Sequence, residues 1–408
     1  MKIALFSNEF PPNIYGGAGV HIDFLSNQLS KLAQVEVRCF GNQLEKKETM
    51  NIIGINSSLT QMDDESNSHI KMFHNLSKNV EMSHHTLQAD IIHCHTWYTH
   101  LAGIFSRELL QVPLILTTHS LEIHRPWKVE QLGNGYFLSR WIENHAYNTA
   151  DGVIAVSQQM KTDVVEAYGI NPDKVTVIHN GIDPEFYKPT FDNNLLLEYA
   201  INPEIPFVLF VGRITRQKGI SQLISAAKYF NKNCQIVLCA GAPDTEEIAK
   251  ETENLIQELK SHRDGIILIS EMLPREKVKV LYSHARVFAC PSLYEPFGII
   301  NLESLSCETP VVGSAVGGIP EIITEGETGF LIPLESVSRT DFNPKNPEEF
   351  QKNFASKINL LLNDEALANS MGKAGRKRVL ENFSWESIAK TTYNYYQEVI
   401  SKFEREKA

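Results

Sequence analysis

Residues 207–219 read Phe-Val-Leu-Phe-Val-Gly-Arg-Ile-Thr-Arg-Gln-Lys-Gly, an unbroken apolar run followed by glycine and basic residues. A continuous Val/Leu/Phe run predicts a parallel strand covered on both faces by helices, whereas a half-exposed strand would alternate apolar and polar residues. Arg213 and Lys218 stand where this strand gives way to a helix. Two cations beside a helix N-terminus suit a diphosphate, because their charges add to the field of the helix. Ordinary surface charge in a strand–helix loop explains them equally well.

The same kind of apolar run recurs along the chain and alternates with helical patterns. We predict strands at 3–6, 35–40, 91–95, 114–119, 153–157 and 175–179, and a second series at 207–212, 235–240, 266–270, 287–291 and 310–314. Strand–helix–strand alternation over this length predicts an α/β protein with two doubly wound parallel sheets. Residues 184–206 hold four prolines and no strong strand, so we expect the connection between the two domains there.

Length, charge and cysteine content agree with a globular protein of this kind. At roughly 100–200 residues per domain, 408 residues predict two domains or three. The chain has 38 Lys and Arg against 49 Asp and Glu, a formal net charge of −11, which argues against nucleic acid as a partner. The six scattered cysteines form no CxxC pair, and the first apolar run is too short for a signal peptide or a membrane span. We therefore expect reduced thiols and a cytoplasmic protein.

A glycine cluster follows the first predicted strand. Gly16-Gly17-Ala18-Gly19 comes nine residues after Ser7 and opens a predicted helix at about 20–32. Such glycines let backbone N–H groups approach an anion at the helix start, although a plain turn is about as consistent with the cluster. Ile22 occupies the third glycine position of GxGxxG, and Asn42 stands where a ribose-binding acid would close the second strand. A nicotinamide dinucleotide is therefore disfavoured.

Two carboxylates lie eight residues apart in the stretch Pro291-Ser-Leu-Tyr-Glu-Pro-Phe-Gly-Ile-Ile-Asn-Leu-Glu303. If the stretch were helical throughout, the rise from Glu295 to Glu303 would be about 12 Å. A carboxylate pair acting on one glycosidic bond needs roughly 5–9.5 Å, so a hydrolase is disfavoured. The spacing suits one carboxylate at a sugar and the other at a ribose, with a diphosphate between them.

Histidines end two strands of the first domain. His93 and His95 close the strand at 91–95, and His119 closes the next one. For any one of these histidines a hydrogen-bonded structural role is favoured over catalysis. Their shared position at the carboxyl ends of parallel strands, where open α/β sheets bind ligands, strengthens the case for a functional role. A zinc site from all three is disfavoured, because there is neither an HExxH motif nor a cysteine pair. Trp127 follows a strand end in a polar stretch and is the best candidate for an aromatic that faces a ligand.

Two helical patterns are predicted near the C-terminus. From Trp385 to Phe403, apolar residues recur at helical spacing after a plausible N-cap at Ser384, so a long helix should dock its apolar stripe on a domain. The basic residues of the run 373–378 are expected on a solvated helix face.

In this order along the chain, the motifs resemble the retaining glycosyltransferases of GT-B fold, and specifically the glycogen and starch synthase group. The resemblance extends over essentially the whole chain, and the combination of motifs is specific although each is modest. It rests on the Gly16-Gly17 loop, the Gly212-Arg213…Lys218-Gly219 turn and the Glu295-x7-Glu303 pair with Pro296-Phe297-Gly298. Segments 8–21, 95–98 and 125–133 are similar to the short actinobacterial-type glycogen synthase branch.

This resemblance implies two Rossmann-like domains that face a central cleft. Residues 1–190 would form the acceptor-side domain, residues 200–383 the nucleotide-sugar domain, and the helix 384–408 would pack back on the first. Members of the branch use ADP-glucose, and they extend α-1,4-glucan or glucosylate glucose 1-phosphate to make maltose 1-phosphate. ADP in place of UDP is implied by the resemblance alone, and the sequence does not choose between the two acceptors.

The resemblance also implies roles for individual residues. Arg213 and Lys218 would bind the donor diphosphate, Glu303 the ribose hydroxyls and Glu295 the transferred glucose. The first turn of the helix after Gly298, beginning with Ile299, would also belong to the donor site. In the first domain, His119 would contact the glucose and the Gly17 N–H would lie near the phosphates. His95, Trp127 and Lys128 would stand on the acceptor side.

Two departures from the longer bacterial glycogen synthases concern the acceptor side. Those enzymes have a Lys-x-Gly-Gly loop where this chain has Ile14-Tyr15-Gly16-Gly17, and an Asp where this chain has Thr96. Donor residues of the second domain match the pattern.

No Asp pair for a divalent metal is evident, so we expect a metal-independent enzyme in which Arg213 and Lys218 neutralise the leaving diphosphate. Retention of configuration would follow from attack on the face that the phosphate leaves, and a covalent intermediate on Glu295 is the less favoured alternative. Within the same fold, a nucleotide-sugar 2-epimerase and a GT-B glycosyltransferase that uses another donor and acceptor remain as alternatives. A dinucleotide oxidoreductase and a non-catalytic glucan-binding protein are the alternatives from other classes.

Overall fold

The computed structural model describes residues 1–14, 16–59, 68–83, 87–241, 243–338 and 341–407. The chain divides into two compact units. Unit 1 comprises Met1–Gly181 together with Trp385–Ala408, and unit 2 comprises Ile182–Ser384. Each unit is built on one sheet with helices packed against it.

The strands follow the predicted apolar runs. They are β1 (Lys2–Ser7), β2 (Gln34–Phe40), β3 (Leu44–Lys46), β4 (Met50–Ile55), β5 (Ile91–His95), β6 (Leu114–Thr118), β7 (Gly152–Ala155), β8 (Val175–Val177), β9 (Phe207–Arg213), β10 (Gln235–Gly241), β11 (Ile266–Ile269), β12 (Val287–Cys290), β13 (Val311–Ser314) and β14 (Gly329–Ile332). Every predicted strand is present, with ends that differ by at most two residues. β3, β4 and β14 were not predicted individually.

Helices alternate with these strands along the chain, and capping side chains precede some of the helices. They are α1 (Gly17–Leu29), α2 (Ser68–Met82), α3 (His100–Leu110), α4 (Val129–Leu132), α5 (Gly135–Thr149), α6 (Gln158–Tyr168), α7 (Asn193–Glu198), α8 (Ile220–Ala226), α9 (Glu246–Lys260), α10 (Arg275–His284), α11 (Ile299–Ser306), α12 (Ile319–Ile322), α13 (Pro347–Asn363), α14 (Glu365–Asn382) and α15 (Trp385–Lys407). For example, the Ser157 and Thr245 side chains accept hydrogen bonds from the third residues of α6 and α9. Helix α1 begins at Gly17, earlier than predicted, because the glycines themselves form its first turn.

The sheet of unit 1 has the order β3-β4-β2-β1-β5-β6-β7-β8. Its strands pair in parallel, except that the short edge strand β3 is antiparallel to β4. The order reverses between β1 and β5, and open α/β sheets bind ligands at the carboxyl ends of the strands at such a reversal. Ser7 pairs with His95, and His95 pairs with Thr117, so the ends of β1, β5 and β6 are level.

Helix α15 belongs to unit 1 and packs its apolar stripe into the core of that unit. The Trp385 ring stacks on Phe24 of α1 with ring centroids 5.7 Å apart. Further along α15, Tyr396 is fully buried, and its hydroxyl lies 2.6 Å from Nδ1 of His93 on β5. The last helix of the chain is therefore part of the unit formed by the first half.

The sheet of unit 2 is parallel, with the order β11-β10-β9-β12-β13-β14. Here the order reverses between β9 and β12, which places the carboxyl ends of these two strands at the ligand-binding edge. Buried aliphatic and aromatic side chains from β9, β10, α8 and α13 form the core that covers one face of this sheet. The middle residues of these strands are apolar because helices cover both faces of the sheet.

Two expectations were wrong. Residues 184–206, predicted as the interdomain connection, lie inside unit 2. They are held there in part by Arg376, whose guanidinium donates to the Pro184 carbonyl at 3.3 Å and the Tyr187 carbonyl at 3.1 Å. The basic run 373–378 is accordingly not all solvated, since Arg378 also donates to the Glu321 and Ile322 carbonyls, both at 2.8 Å. The spacing of charged residues along a helix does not show whether a guanidinium donates hydrogen bonds to buried carbonyl groups.

Residues 42–89, for which a strand and helices were expected, form β3, β4 and α2, and positions 60–67 and 84–86 lie outside the described residues. Within the part of the chain that the structure describes, every helix is too short or too polar to cross a lipid bilayer. All six cysteines are buried free thiols.

Candidate functional site

The β9–β12 reversal brings together two of the predicted site residues of unit 2. Nζ of Lys218 lies 2.7 Å from Oε2 of Glu295, and the Ser292 hydroxyl donates to the same oxygen at 3.0 Å. The Glu295 side chain is 8% exposed and that of Lys218 is 21% exposed. Burial opposes the charge of Lys218, but Glu295 and nearby groups outweigh it, so the pKa of Lys218 lies above its ordinary value.

Glycines bring these two loops into contact. Gly219 has a φ of 63°, and a Cβ there would lie 2.0 Å from the Pro291 carbonyl oxygen, so only glycine lets the first loop approach the second. On the other side of Glu295, Gly317 has a φ of 55°, and a Cβ there would lie 1.7 Å from the Glu295 carbonyl oxygen. Gly318 donates its N–H to that carbonyl at 3.0 Å. The backbone of Glu295 is thus fixed from both sides.

Arg213 ends β9, and its guanidinium forms an ion pair with Asp244 at 2.5 Å. Its side chain is 45% exposed, and its charge acts against that of Lys218. The two predicted cations therefore lie close enough to influence each other, yet each has its own carboxylate partner. The sequence analysis did not identify Asp244, the carboxylate partner of Arg213.

Two tyrosines hold Glu303, which lies in α11. The Tyr187 hydroxyl donates to Oε1 at 2.9 Å, and the Tyr282 hydroxyl donates to Oε2 at 3.0 Å. Burial raises the pKa of Glu303, and the two hydrogen bonds act in the opposite direction. Gly298, with a φ of 101°, and Ile299 form the turn into α11. Neither tyrosine belongs to a motif, and only the fold places them at this carboxylate.

In unit 1, the ends of β5 and β6 place His95 beside His119. Nδ1 of His95 lies 3.0 Å from Nε2 of His119. His21, from α1, completes the cluster, and its ring centroid lies 4.7 Å from that of His119. Nδ1 of His21 is 2.6 Å from Oδ1 of Asn180. Burial lowers the pKa of His21 to about 4 and holds the pKa values of His95 and His119 well below the ordinary value, so these imidazoles are neutral at neutral pH.

This cluster differs from the zinc site considered in the sequence analysis, which combined His93, His95 and His119. Ring nitrogens of His21, His95 and His119 lie within 4.8 Å of one another, which is a spacing that a metal ion bound by imidazoles would need. His93 is not part of it, because its two nitrogens lie 2.6 Å from the Tyr396 hydroxyl and 2.7 Å from the Thr117 hydroxyl. His93 therefore has a structural role in the core, and His21 is the histidine that sequence analysis missed.

The residue that follows β5 has an unusual backbone. Thr96 has a φ of 67°, in a region that β-branched residues rarely occupy. Its hydroxyl donates to Oδ1 of Asn8, which follows β1, at 2.7 Å. Positive φ at a β-branched residue costs about 1–3 kcal/mol and concentrates at functional sites. The strain lies at the β1–β5 reversal, next to the histidine cluster.

The remaining predicted residues of unit 1 lie around this edge. Gly17 is the first residue of α1, directly after Gly16, whose N–H donates to Oε2 of Glu9 at 2.9 Å. Nζ of Lys128 lies 3.7 Å from Oε1 of the buried Glu122. The side chain of Trp127 lies outside the described part of the structure, so its prediction as a ligand-facing aromatic stays a prediction.

Two parallel-sheet units, each with polar and charged residues at its strand reversal, are typical of the GT-B class of glycosyltransferases, and comparison with known proteins supports this class. Residues 196–378 match the family Glycosyl transferases group 1, and residues 15–186 match Glycosyltransferase Family 4. The chain belongs to these GT-B glycosyltransferases and is a hexosyltransferase, as the sequence analysis predicted.

Individual relatives match over the full length. The chain is 42% identical over 407 residues to an α-maltose-1-phosphate synthase of Mycolicibacterium smegmatis, covering 98% of this chain and 100% of the relative. It is 40% identical over 409 residues to the α-maltose-1-phosphate synthase of Mycobacterium tuberculosis, with the same coverage. Among solved structures, sucrose-phosphate synthase from Thermosynechococcus elongatus matches with a TM-score of 0.76 at 24% identity, over 98% of this chain and 99% of the other.

Proposed function

We propose that this enzyme transfers glucose from ADP-glucose to glucose 1-phosphate and forms α-maltose 1-phosphate. The observation that supports this most strongly is the 42% identity to an α-maltose-1-phosphate synthase over 98% of this chain and all of the relative. An acceptor that is itself a sugar phosphate also agrees with the departures from the glucan-extending enzymes, which lie on the acceptor side.

In this proposal, unit 2 binds the donor. Lys218 and Arg213 neutralise the diphosphate as the glycosidic bond breaks, and electrostatic stabilisation of this kind is usually the largest single contribution to catalysis. Glu303, oriented by Tyr187 and Tyr282, accepts hydrogen bonds from the ribose hydroxyls. Glu295 contacts the transferred glucose and holds the Lys218 ammonium in place.

Unit 1 supplies the groups that contact the sugar from the acceptor side. His119, kept neutral by burial, donates or accepts one hydrogen bond to the glucose without adding charge. The N–H groups of the first turn of α1, from Gly17 onward, are suited to binding an anion. The acceptor hydroxyl attacks the anomeric carbon on the face that the diphosphate leaves. Its proton passes to the departing phosphate oxygen, so ADP leaves and the α configuration is retained.

The test is a product assay that crosses ADP-glucose and UDP-glucose with glucose 1-phosphate and glycogen. ADP-glucose with glucose 1-phosphate should give ADP and a disaccharide phosphate, and NMR should show an α-1,4 linkage. Transfer to glycogen alone would replace the proposed acceptor with α-1,4-glucan. Release of a free epimerised sugar without a transfer product would overturn the proposal in favour of a 2-epimerase.

A further inference from the structure

The histidine cluster of unit 1 contains ring nitrogens that the hydrogen bonds of the fold do not use. Nε2 of His21 and Nε2 of His95 are both buried, and among the described residues neither atom has a hydrogen-bond partner. Buried polar atoms are nearly always hydrogen-bonded, because leaving one unpaired costs about 1–3 kcal/mol. Two such nitrogens in one cluster therefore point to a ligand that binds there.

Asn180 fixes which nitrogen of His21 is available to a ligand. Oδ1 of Asn180 only accepts hydrogen bonds, so Nδ1 of His21, 2.6 Å away, carries the proton and donates it. Burial lowers the pKa of His21 to about 4, so the ring is neutral at neutral pH and its Nε2 has a free lone pair. Histidines that bind metal ions typically donate their second N–H to an oxygen in this way.

The other two histidines already lie at nearly the separation of two ligands of one ion. Nδ1 of His95 lies 3.0 Å from Nε2 of His119. Imidazole nitrogens bind zinc at about 2.0–2.1 Å, so two of them in a tetrahedral site are about 3.3 Å apart. One ring nitrogen from each of the three histidines lies within 4.8 Å of the others, so His21 would have to approach by at most about 1.5 Å.

Three separate elements bring the three side chains together. His21 lies in α1, His95 ends β5 and His119 directly follows β6. His93, whose ring lies against that of His95, does not compete for the ion, because both of its nitrogens have hydroxyl partners. His21 and His95 are buried, whereas His119 is only half-buried, so the cluster is open to solvent on the His119 side. Three protein ligands leave the fourth position of a tetrahedral ion to water.

We propose that His21, His95 and His119 bind a divalent transition-metal ion with the ligand preference of zinc, and that the bound ion inhibits the enzyme. Neutral imidazoles suit zinc, whereas magnesium and calcium prefer oxygen ligands. The inhibition rests on the proposed function, because it follows from the contact of His119 with the transferred glucose. An ion on His119 takes the nitrogen that the sugar hydroxyl needs and occupies the space beside it. The ion is therefore an inhibitor and not a cofactor.

The binding test uses Co²⁺ as a spectroscopic probe, because four-coordinate Co²⁺ absorbs visible light far more strongly than the hydrated ion. The wild type should bind one Co²⁺ per chain in the four-coordinate form, and Zn²⁺ should displace it. Losing an outer hydrogen bond to a ligating histidine typically costs about 10–100-fold in affinity. We expect that loss in Asn180→Ala, and a loss of at least about a hundredfold in His21→Gln and His119→Gln.

The matched control is His145→Gln, which removes an exposed histidine of α5 in the same unit and should bind Co²⁺ like the wild type. Circular dichroism should show that all variants remain folded. A wild type without four-coordinate Co²⁺, or equal affinity in the wild type, His21→Gln and His119→Gln, overturns the metal site. These readouts do not depend on the reaction, so failure of the wild type to form α-maltose 1-phosphate overturns the proposed function instead.

The inhibition is tested by assaying glucosyl transfer at fixed concentrations of free Zn²⁺. Zn²⁺ should slow the wild type, EDTA should restore the rate, and higher ADP-glucose should relieve the inhibition because the glucose and the ion compete for His119. His21→Gln and Asn180→Ala should each need at least about tenfold more Zn²⁺ for half-inhibition. Binding without inhibition, or equal inhibition of the wild type and both variants, overturns the inhibitory role.

Discussion

The ammonium of Lys218 lies 2.7 Å from the carboxylate of Glu295, although the two residues are 77 positions apart. The contact joins the loop after β9 to the loop after β12. It places a cation proposed for the leaving phosphates directly beside an acid proposed for the transferred glucose. Each therefore orients the other, and removing either one should affect both tasks.

We expect Lys218→Ala and Glu295→Ala each to lower kcat at least about a hundredfold, because each removes charge stabilisation or positioning at the bond that breaks. Steady-state kinetics with saturating ADP-glucose measure this. Lys277→Ala is the matched control, since Lys277 forms an exposed ion pair with Glu198 elsewhere in unit 2. Circular dichroism should show that the variants remain folded. Rates like those of the wild type in both variants would remove the assignment.

Tyr187→Phe and Tyr282→Phe should each raise the KM for ADP-glucose several-fold, because Glu303 loses a hydrogen bond that orients it. Those bonds also oppose the effect of burial, so each variant should raise the pKa of Glu303 further. The ionised form is required to bind ribose hydroxyls. The acid limb of kcat/KM for ADP-glucose should therefore move to higher pH. Tyr199→Phe, which removes an exposed hydroxyl bonded to Glu271, should leave both quantities unchanged.

Replacing Thr96 tests whether its positive φ strains the folded backbone. Thr96→Gly and Thr96→Ala both lose the Thr96 hydroxyl, but only glycine relieves the strain of positive φ, so Thr96→Gly should be more stable than Thr96→Ala by about 1–2 kcal/mol. Thr96→Ala keeps that strain and loses the hydrogen bond to Asn8, so it should be less stable than the wild type. Urea unfolding of the three proteins measures both effects. Thr96→Gly no more stable than Thr96→Ala would contradict the expected strain.

Buried histidines should make the protein sensitive to acid. Burial lowers the pKa of His100 to about 3, whereas an unfolded histidine titrates near pH 6.5. The folded state thus binds fewer protons, and the stability from a neutral His100 is fully present above about pH 6.5 and is lost as the pH falls towards 3. Each such histidine contributes a slope of up to about 1.4 kcal/mol per pH unit in this range.

His100→Leu should reduce the slope of unfolding free energy against pH by up to about 1.4 kcal/mol per pH unit, which corresponds to one proton. The stability between pH 7 and 8 should change little. Leu has a similar volume, and neither ring nitrogen of His100 has a hydrogen-bond partner within the described structure. Urea unfolding between pH 4.5 and 8 gives the slope. An identical slope in the wild type and the variant would show that His100 is already protonated in the folded state or titrates alike in both states.

We expect chelation to leave catalysis unchanged, because Arg213 and Lys218 supply the positive charge that a divalent ion would otherwise supply. The measurement is kcat before and after dialysis against EDTA. A loss that a divalent ion restores would contradict this expectation. The variant His21→Gln would then show whether the cluster of His21, His95 and His119 holds the ion, because the restored activity should be lost with it.

Strand positions followed directly from the sequence because burial on both faces of a parallel sheet leaves a local signature, a short unbroken apolar run. The runs at 91–95 and 207–212 therefore predicted β5 and β9 to within one residue. The site residues at strand ends, such as His119 and Arg213, followed from the same signature. At residues 184–206 the predicted interdomain connection was wrong, because the backbone carbonyls there accept hydrogen bonds from a distant side chain. No local sequence pattern indicates that an arginine of α14 donates to them.

The sequence by itself determined the class of fold, the family and the charged residues at the edge of the unit 2 sheet. Only the tertiary structure decided their partners: Glu303 with Tyr187, 116 positions away, and His21 with Asn180, 159 positions away. It also decided that His21 joins His95 and His119 while His93 is enclosed by Tyr396 and Thr117. The physical reason is that apolar periodicity reflects burial, which each segment encodes locally. Hydrogen bonds and ion pairs depend on distances of a few ångströms, which exist only after the sheets have formed.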